Sequence, residues 1–149
     1  MTLSLGCDHG GVELKEIIKA HLIAHHPDIS LTDRGTHGPA SVHYPDFATA
    51  VARDILSHTS DLGILVCGTG IGISIRANRF KGIRAALVHD IFTAEMCKAH
   101  NNANILCLGG RTTSPELACQ LIDKWLSTPF EGGRHQARID MLDSEVDSI

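Results

Sequence analysis

The chain has 149 residues, of which 43% are hydrophobic and 20% are charged, and its formal net charge is −4. This length and composition are typical of one globular domain, so we expect residues 1–149 to form a single domain. The negative net charge argues against nucleic acid as a partner. No apolar run approaches the roughly 20 residues that span a bilayer, so no membrane partner is expected either.

Cysteine usage indicates a reducing compartment. The five cysteines are odd in number, widely spaced and form no Cys-x-x-Cys pair, which disfavours both a disulfide framework and a structural zinc site. The chain starts without a basic segment or cleavage site before its first apolar run. We therefore expect a cytoplasmic protein with free thiols. No metal and no cofactor are predicted, and most of five histidines are expected to be solvated: His21, His25, His26, His37 and His58.

Apolar runs alternate with amphipathic segments along the chain. The predicted strands cover residues 3–7, 29–32, 62–66, 83–88 and 105–108. The predicted helices cover residues 13–24, 45–56, 72–79, 91–100 and 115–126, and a final helix begins at Arg134. These repeats predict an α/β fold, namely a Rossmann-like three-layer α/β/α sandwich with a five-stranded parallel sheet and an extra C-terminal helix.

Ligands of such sheets bind at the carboxyl ends of the strands, so the residues that end each strand are candidate site residues. They are Asp8 and His9, then residues 67–69, then His89 and Asp90, then residues 109–111. Asp8 has an alternative interpretation as a helix N-cap with a solvated histidine beside it.

Residues 67–74, Cys-Gly-Thr-Gly-Ile-Gly-Ile-Ser, are the most informative segment. A thiol ends a buried strand, and the glycine turn after it begins a helix, where free backbone N–H groups would stabilise a developing oxyanion. The spacing is not Gly-x-Gly-x-x-Gly and no Gly-Lys-Ser/Thr follows, which disfavours dinucleotide binding and a Walker loop. A tight turn with an inert, buried Cys67 remains the alternative from the residues alone.

The C-terminal part holds further candidates. Arg134 and Arg138 lie four residues apart on one helix face, a spacing that suits a phosphate, although solvated arginines are the usual explanation. His135 shares this ambiguity. His100 ends a predicted helix at the edge of the sheet opposite the strand ends, so we do not expect it to share their site unless a neighbouring subunit brings the two together.

Many segments in the same order resemble ribose-5-phosphate isomerase type B and its relatives, the family that includes the galactose-6-phosphate isomerase subunits. The matching motifs are Gly-Cys-Asp-His at 6–9, Tyr-Pro-Asp at 44–46, the glycine turn at 67–72, Asn78, residues 82–85, His-Asn at 100–101, Asn104, Gly-Gly-Arg at 109–111, and residues 130–138. The resemblance implies a metal-free aldose–ketose isomerisation through an enediolate.

The resemblance also implies roles for residues at matching positions. Cys67 would transfer the proton next to the carbonyl with help from the Thr69 hydroxyl, and His100 would open the sugar ring. The enediolate oxygen would be held by backbone N–H groups of the turn: Gly68, Gly70, Ile71 and Gly72. The remaining substrate contacts would be Asp8 and Asn101 to ring hydroxyls; His9, Arg111, Arg134 and Arg138 to the phosphate; and Tyr44 and His135 lining the pocket.

Another branch of the family uses a glutamate of the turn as the base, but Ile71 stands at that position here, which leaves Cys67. An unperturbed thiol is mostly protonated at neutral pH, so this role requires activation by the surroundings. His43 and Arg76 depart from the family pattern and leave the substrate open: the alternative is allose 6-phosphate or galactose 6-phosphate. A non-catalytic phosphosugar- or nucleotide-binding module is a further alternative.

The resemblance implies a homodimer or tetramer in which the neighbouring subunit completes each site. This arrangement would bring His100 to the strand ends, and it would give the C-terminal helix a partner.

Overall fold

The computed structural model describes residues 1–144, which form five strands and six helices. The strands are β1 (Thr2–Cys7), β2 (Ser30–Asp33), β3 (Leu62–Cys67), β4 (Ala85–Leu87) and β5 (Ile105–Gly109). The helices are α1 (Val12–His25), α2 (Tyr44–Leu56), α3 (Ile71–Ala77), α4 (Ile91–Ala99), α5 (Pro115–Ser127) and α6 (Arg134–Leu142). Within the described residues, no helix combines the length and the apolar character that crossing a membrane requires.

The strands form one sheet in the order β2-β1-β3-β5-β4, and every pair in it is parallel. The predicted five-stranded parallel sheet is therefore confirmed. Strand β2 lies on one side of β1, and the later strands β3, β4 and β5 lie on its other side. The direction in which the chain adds strands therefore reverses between β1 and β3. A ligand site of such a sheet is expected at this reversal, beside the carboxyl ends of these two strands.

Alternating residues of each strand pack against the helices on the two faces of the sheet. On one face, Ile64 and Val66 pack with buried side chains of α1, α4 and α5. On the other face, Leu65 and Cys67 pack with buried side chains of α2 and α3. The three-layer sandwich is confirmed, and Cys67 lies in the layer shared with α2 and α3.

The edge strand β4 is shorter than predicted because asparagine side chains replace ladder hydrogen bonds beside it. Asn78, which ends α3, accepts from the Ala85 N–H and donates to the Ala85 carbonyl, both over 2.8 Å. Asn104 accepts from the Arg84 N–H over 2.8 Å and donates to the Gly82 carbonyl over 2.8 Å. These two motif residues therefore hold the edge of the sheet.

Lys15 of α1 is fully buried and lies among acidic side chains. Its Nζ is 2.9 Å from Asp33 Oδ2 and 2.9 Å from Glu16 Oε1. Burial alone would lower the pKa of Lys15, but its hydrogen bonds to Asp33 and Glu16 raise it. Burial would likewise raise the pKa of Asp33, and the hydrogen bonds from Lys15 and Gly35 lower it. Both groups are therefore charged at neutral pH and tie α1 to the end of β2.

Candidate active site

Cys67 lies at the carboxyl end of β3, directly before the glycine loop, which we define as residues 68–72. Its side chain is buried, and the Gly70 N–H donates a hydrogen bond to its Sγ over 3.2 Å. The loop turns sharply because Gly70 has φ +76°, and a Cβ there would lie 2.5 Å from the Leu87 side chain. Because α3 begins at Ile71 and Gly70 is its N-cap, this hydrogen bond places the sulfur at the start of that helix.

The hydrogen bonding of Cys67 differs from that of other buried thiols. Burial raises the pKa of Cys7 to about 12 and that of Cys97 to about 11, and it also raises the pKa of Cys107. Cys7 and Cys97 donate to backbone carbonyls. Among residues 1–144, Cys67 is the buried thiol whose sulfur accepts from a backbone N–H, an arrangement compatible with a thiolate.

The loop that follows β1 lies beside the glycine loop. Asp8 is buried, and its backbone N–H donates to the Val66 carbonyl of β3 over 3.2 Å. Its Oδ1 accepts from the Gly10 N–H over 2.8 Å, so it stabilises the turn, and the N-cap of α1 is Gly11. His9 Nδ1 accepts from the Val42 N–H over 3.3 Å, which leaves Nε2 as the donor atom of the ring.

The loop that follows β5 approaches from the other side. The Arg111 N–H donates to the Gly68 carbonyl over 2.9 Å, and the Gly110 N–H donates to the Cys67 carbonyl over 2.8 Å. The guanidinium group crosses over the glycine loop, since a Cβ on Gly68 would lie 3.1 Å from Arg111 Nη1. The side chain is exposed, so a cation borders the loop on the solvent side.

The outer rim of the glycine loop is open to solvent. The Tyr44 ring packs on Gly72 so closely that a Cβ there would lie 2.7 Å from the ring. The Thr69 hydroxyl accepts from the Ile71 N–H over 3.4 Å, and the side chains of Thr69 and Ile71 are both exposed. The rim thus presents the Thr69 hydroxyl and the Tyr44 ring to solvent. We call Asp8, His9, Tyr44, residues 67–72 and Arg111 the strand-end cluster.

A second group forms where α4 ends and α6 begins. The rings of His100 and His135 stack with their centroids 4.1 Å apart at an angle of 8°. Glu131 Oε2 lies 3.7 Å from His100 Nε2 and 3.4 Å from His135 Nε2. His135 is 5% exposed, and within residues 1–144 its Nε2 makes no hydrogen bond. Burial, the neighbouring His100 and Arg134 lower the pKa of His135.

Glu131 was part of the matching motif, but the sequence suggested no role for it. Its N–H donates to the Ala99 carbonyl over 3.0 Å, which ties the loop before α6 to the end of α4 and brings the carboxylate to His100. The ligand atoms of His100, Glu131 and His135 all lie within 4.8 Å of one another, close enough for a metal ion to bridge them.

The predicted basic residues of α6 lie beside these histidines. Arg134 and Arg138 are exposed one turn apart, and neither forms an ion pair with an acid of residues 1–144. Asn101 is exposed, and its carbonyl accepts from Arg84 Nε over 3.0 Å. We call His100, Asn101, Glu131, Arg134, His135 and Arg138 the histidine cluster.

The two clusters lie at opposite ends of the strands, one at their carboxyl ends and the other at their amino ends. Cys67 pairs with Gly109 at the carboxyl end of β5, whereas His100 precedes Ile105 at the start of that strand. At about 3.3 Å per residue, β5 alone separates these ends by about 13 Å. The expectation that His100 lies away from the strand ends of its own subunit is confirmed.

Other candidate residues lie outside both clusters. Asp90 caps α4, since its Oδ1 accepts from the Thr93 N–H over 2.8 Å, and His89 is exposed. His43 is the N-cap residue of α2, without a side-chain hydrogen bond to the helix. Arg76 Nε donates to Thr49 Oγ1 over 3.1 Å, so this side chain binds to α2 and not to the strand-end cluster.

Fold and site together define a class of protein: a doubly wound parallel α/β protein whose candidate site residues follow neighbouring strands at the point where the strand order reverses. Comparison with known families is consistent with this class. Residues 3–142 match the family model described as Ribose/Galactose Isomerase, and the chain belongs to that family.

Several relatives are similar to this chain over nearly their whole length. Ribose-5-phosphate isomerase B of Escherichia coli is 41% identical, over 94% of this chain and 93% of the relative. The crystal structure of a ribose 5-phosphate isomerase from Thermotoga maritima is 48% identical with a TM-score of 0.92, over 95% of this chain and 97% of that one. The Mycoplasma genitalium enzyme with bound ribulose-5-phosphate is 41% identical with a TM-score of 0.89, over 95% and 93% of the two chains.

Proposed function

We propose that this protein is an aldose–ketose isomerase that interconverts D-ribose 5-phosphate and D-ribulose 5-phosphate. The observation that carries the proposal is the Cys67 thiol, which is buried beneath the glycine loop and accepts the Gly70 N–H. A thiolate that removes a proton from carbon must be favoured by its surroundings, and an N–H donor at a helix N-terminus is one group that does so. Family membership supports the same reaction.

In the proposed reaction, the Cys67 thiolate removes the proton from C2 of the open-chain aldose. The electron pair of the broken C–H bond forms an enediolate, whose oxygen is held by backbone N–H groups of residues 68–72. These donors stabilise negative charge that is present only during the reaction, so they lower the barrier. The Thr69 hydroxyl assists proton transfer between the two oxygens, and Cys67 returns the proton to C1 to give the ketose.

The other residues bind the substrate and open its ring. Asp8 and Asn101 orient hydroxyl groups, while Tyr44 and His135 line the pocket. His100 is the acid that opens the ring. The phosphate is held by cations and a ring N–H, because such groups form charge-assisted hydrogen bonds with phosphate oxygens: His9, Arg111, Arg134 and Arg138.

We further propose that the active unit is a homodimer, alone or paired into a tetramer, in which the strand-end cluster of one subunit faces the histidine cluster of its partner. The separation of Cys67 and His100 within one subunit supports this arrangement, since one sugar phosphate cannot reach across the sheet. A twofold axis makes two equivalent composite sites, because each subunit supplies both clusters.

A mixing experiment tests the shared site. Cys67→Ala and His100→Ala each inactivate their own homodimer. After unfolding and refolding of an equal mixture, a heterodimer holds one site with both groups intact, so about a quarter of the wild-type activity is expected. If one subunit held both groups of a site, every site of the mixture would lack one of them, and activity would stay at the level of the separate variants.

The substrate is tested by measuring ketose formation from ribose 5-phosphate and allose 6-phosphate side by side. A much higher kcat/KM for ribose 5-phosphate supports the pentose reaction. Preference for the hexose phosphate, or for galactose 6-phosphate in the same assay, keeps the mechanism and changes the substrate. No turnover of any of them would instead favour a phosphosugar-binding module.

The proposed chemistry requires no metal, so a chelator is expected to leave the rate unchanged. A rate that is lost with chelator and restored by a metal ion would contradict this expectation, and it would direct attention to the ligand atoms of the histidine cluster. We also propose a cytoplasmic location. All five cysteine side chains are free thiols, as a reducing compartment favours.

A further inference from the structure

Two histidines and one aspartate meet far from both clusters, where α1 ends against α5. His21 Nε2 lies 2.8 Å from Asp123 Oδ1, and His26 Nε2 lies 2.7 Å from the same oxygen. All three ligand atoms lie within 4.8 Å of one another. His25, His37 and His58 are exposed as expected, whereas His21 and His26 are partly buried.

We propose that His21, His26 and Asp123 form a zinc site that connects α1 to α5. Two imidazole nitrogens and one carboxylate oxygen are the ligands that Zn²⁺ takes in three-ligand sites, with water in the fourth position. In a tetrahedral site the ligand atoms are roughly 3.3 Å apart, as Zn–N and Zn–O distances near 2.0 to 2.2 Å require. The two nitrogen–oxygen distances of 2.8 and 2.7 Å are about 0.5 Å shorter than that value, and the two histidine nitrogens lie within 4.8 Å of each other, so the side chains must move apart slightly to admit the ion.

The packing of the helices holds the ligands in place. His21 precedes the fully buried Leu22, and Asp123 follows the fully buried Ile122, both of which belong to the same core. The N–H of His26 donates to the Leu22 carbonyl over 2.9 Å, which fixes the residue that follows the helix. A site whose ligands are already held near each other loses little conformational entropy when the ion binds.

Charge and access also favour a cation. The Asp123 carboxylate supplies the acidic ligand, and an imidazole nitrogen of each histidine lies within hydrogen-bond distance of it. The Asp123 side chain is 45% exposed, which leaves a path from solvent and room for a water ligand. Lys124, the adjacent cation, is directed to Glu95 at 3.2 Å. A ring nitrogen that binds zinc carries no proton, so each histidine would bind through Nε2 with its proton on Nδ1.

Another group with similar ligands is less suitable. Glu16, Asp33 and His37 also lie within 4.8 Å of one another. The ammonium group of Lys15 lies 2.9 Å from an oxygen of each of the two acids, so a cation already occupies the position between them. By contrast, no lysine or arginine among residues 1–144 forms an ion pair with Asp123.

The test is a calorimetric titration of the intact protein with zinc sulfate at neutral pH, together with anomalous diffraction at the zinc edge. One equivalent per chain is expected, with density between His21, His26 and Asp123. Asp123→Asn and His26→Gln are each expected to weaken binding at least about tenfold, because even loss of a group that only supports a ligand costs that much. The wild-type melting temperature should rise with zinc concentration.

Matched controls are His25→Gln, whose ring stacks on His21 at 4.5 Å but supplies no ligand, and Cys119→Ser, one turn before Asp123 on α5. Glu131→Gln is the control for zinc bound by the histidine cluster. All three should keep the wild-type affinity. Absence of one bound zinc at about 1 mM metal, which corresponds to a binding free energy of only about −4 kcal/mol, would overturn the proposal. Unchanged binding in both Asp123→Asn and His26→Gln would also overturn it.

Discussion

Cys67→Ala is the most direct perturbation of the proposed chemistry. A positioned base contributes about 10² to 10⁴ to the rate, which corresponds to about 3 to 5 kcal/mol of barrier. The substitution removes one buried sulfur, for which we expect a loss of stability of about 1 kcal/mol. We therefore expect kcat to fall by at least about a hundredfold while the protein stays folded and the Kd for ribose 5-phosphate changes little.

The substitution also removes the acceptor of the Gly70 N–H, so disorder in the glycine loop could mimic the loss of a base. Cys67→Ser separates the two effects, because its hydroxyl can accept the same hydrogen bond but is a far weaker acid than a thiol. A base role predicts that the serine variant is nearly as slow as the alanine variant. A purely structural role predicts recovery of the rate.

The assay follows ketose formation and, in deuterated water, the entry of deuterium at C2 of recovered ribose 5-phosphate. The rate of ketose formation and the rate of deuterium entry are expected to fall together in the Cys67 variants. Cys97→Ala is the matched control, since that thiol is also buried but its pKa is raised to about 11 and it lies on α4. Turnover and exchange in Cys67→Ala within about tenfold of wild type would refute the base role, since a positioned base contributes more than that.

Three further predictions concern the loop and the fold. Gly70→Ala should lower kcat/KM about a hundredfold, because φ +76° and the 2.5 Å approach of a leucine side chain force the loop to move, whereas Gly38→Ala, in open space, should be neutral. Asn104→Ala should cost about 2 kcal/mol in urea unfolding, because it removes two hydrogen bonds at the sheet edge. Lys15→Met should cost about 3 kcal/mol, because it leaves the Asp33 carboxylate without its buried partner. The raised pKa of Lys15 and the lowered pKa of Asp33 predict a stability difference from wild type that is constant between about pH 5 and 10. Urea titrations should show that this difference in the free energy of unfolding shrinks below pH 4, because Asp33 is protonated there. It should also shrink above the ordinary lysine range, because Lys15 loses its proton.

Much of the fold follows from local sequence. Buried strands that alternate with helical segments specify a parallel sheet, and Ser114 before Pro115 marks the start of α5, where the serine side chain accepts from the Leu117 N–H. The start of β4 is different. There the side chains of Asn78 and Asn104 bond the backbone of residues 82–85, and such contacts between residues distant in the chain leave no periodic signal in the sequence.

The candidate site also has a part that local sequence predicts and a part that it does not. The Cys67 loop was recognisable because a strand, a turn and a helix follow one another directly in the chain. The approach of Glu131 to His100 and the pairing of His21 with Asp123 join residues that are 31 and 102 positions apart. Such contacts depend on how helices pack, which hydrophobic patterns specify only approximately.

The topology itself gives a reason for a shared active site. In a βα unit the helix runs antiparallel to its strand. A residue at the C-terminus of a helix, such as His100, therefore lies beside the amino ends of the strands, whereas a residue that ends a strand, such as Cys67, lies at the carboxyl ends. If the site forms only between subunits, specific activity must fall when dilution drives dissociation to monomers. The measurement is specific activity across a dilution series beside the mass distribution of the same samples. Full activity in samples that contain only monomer would contradict the shared site, whereas activity that follows the dimer fraction would support it.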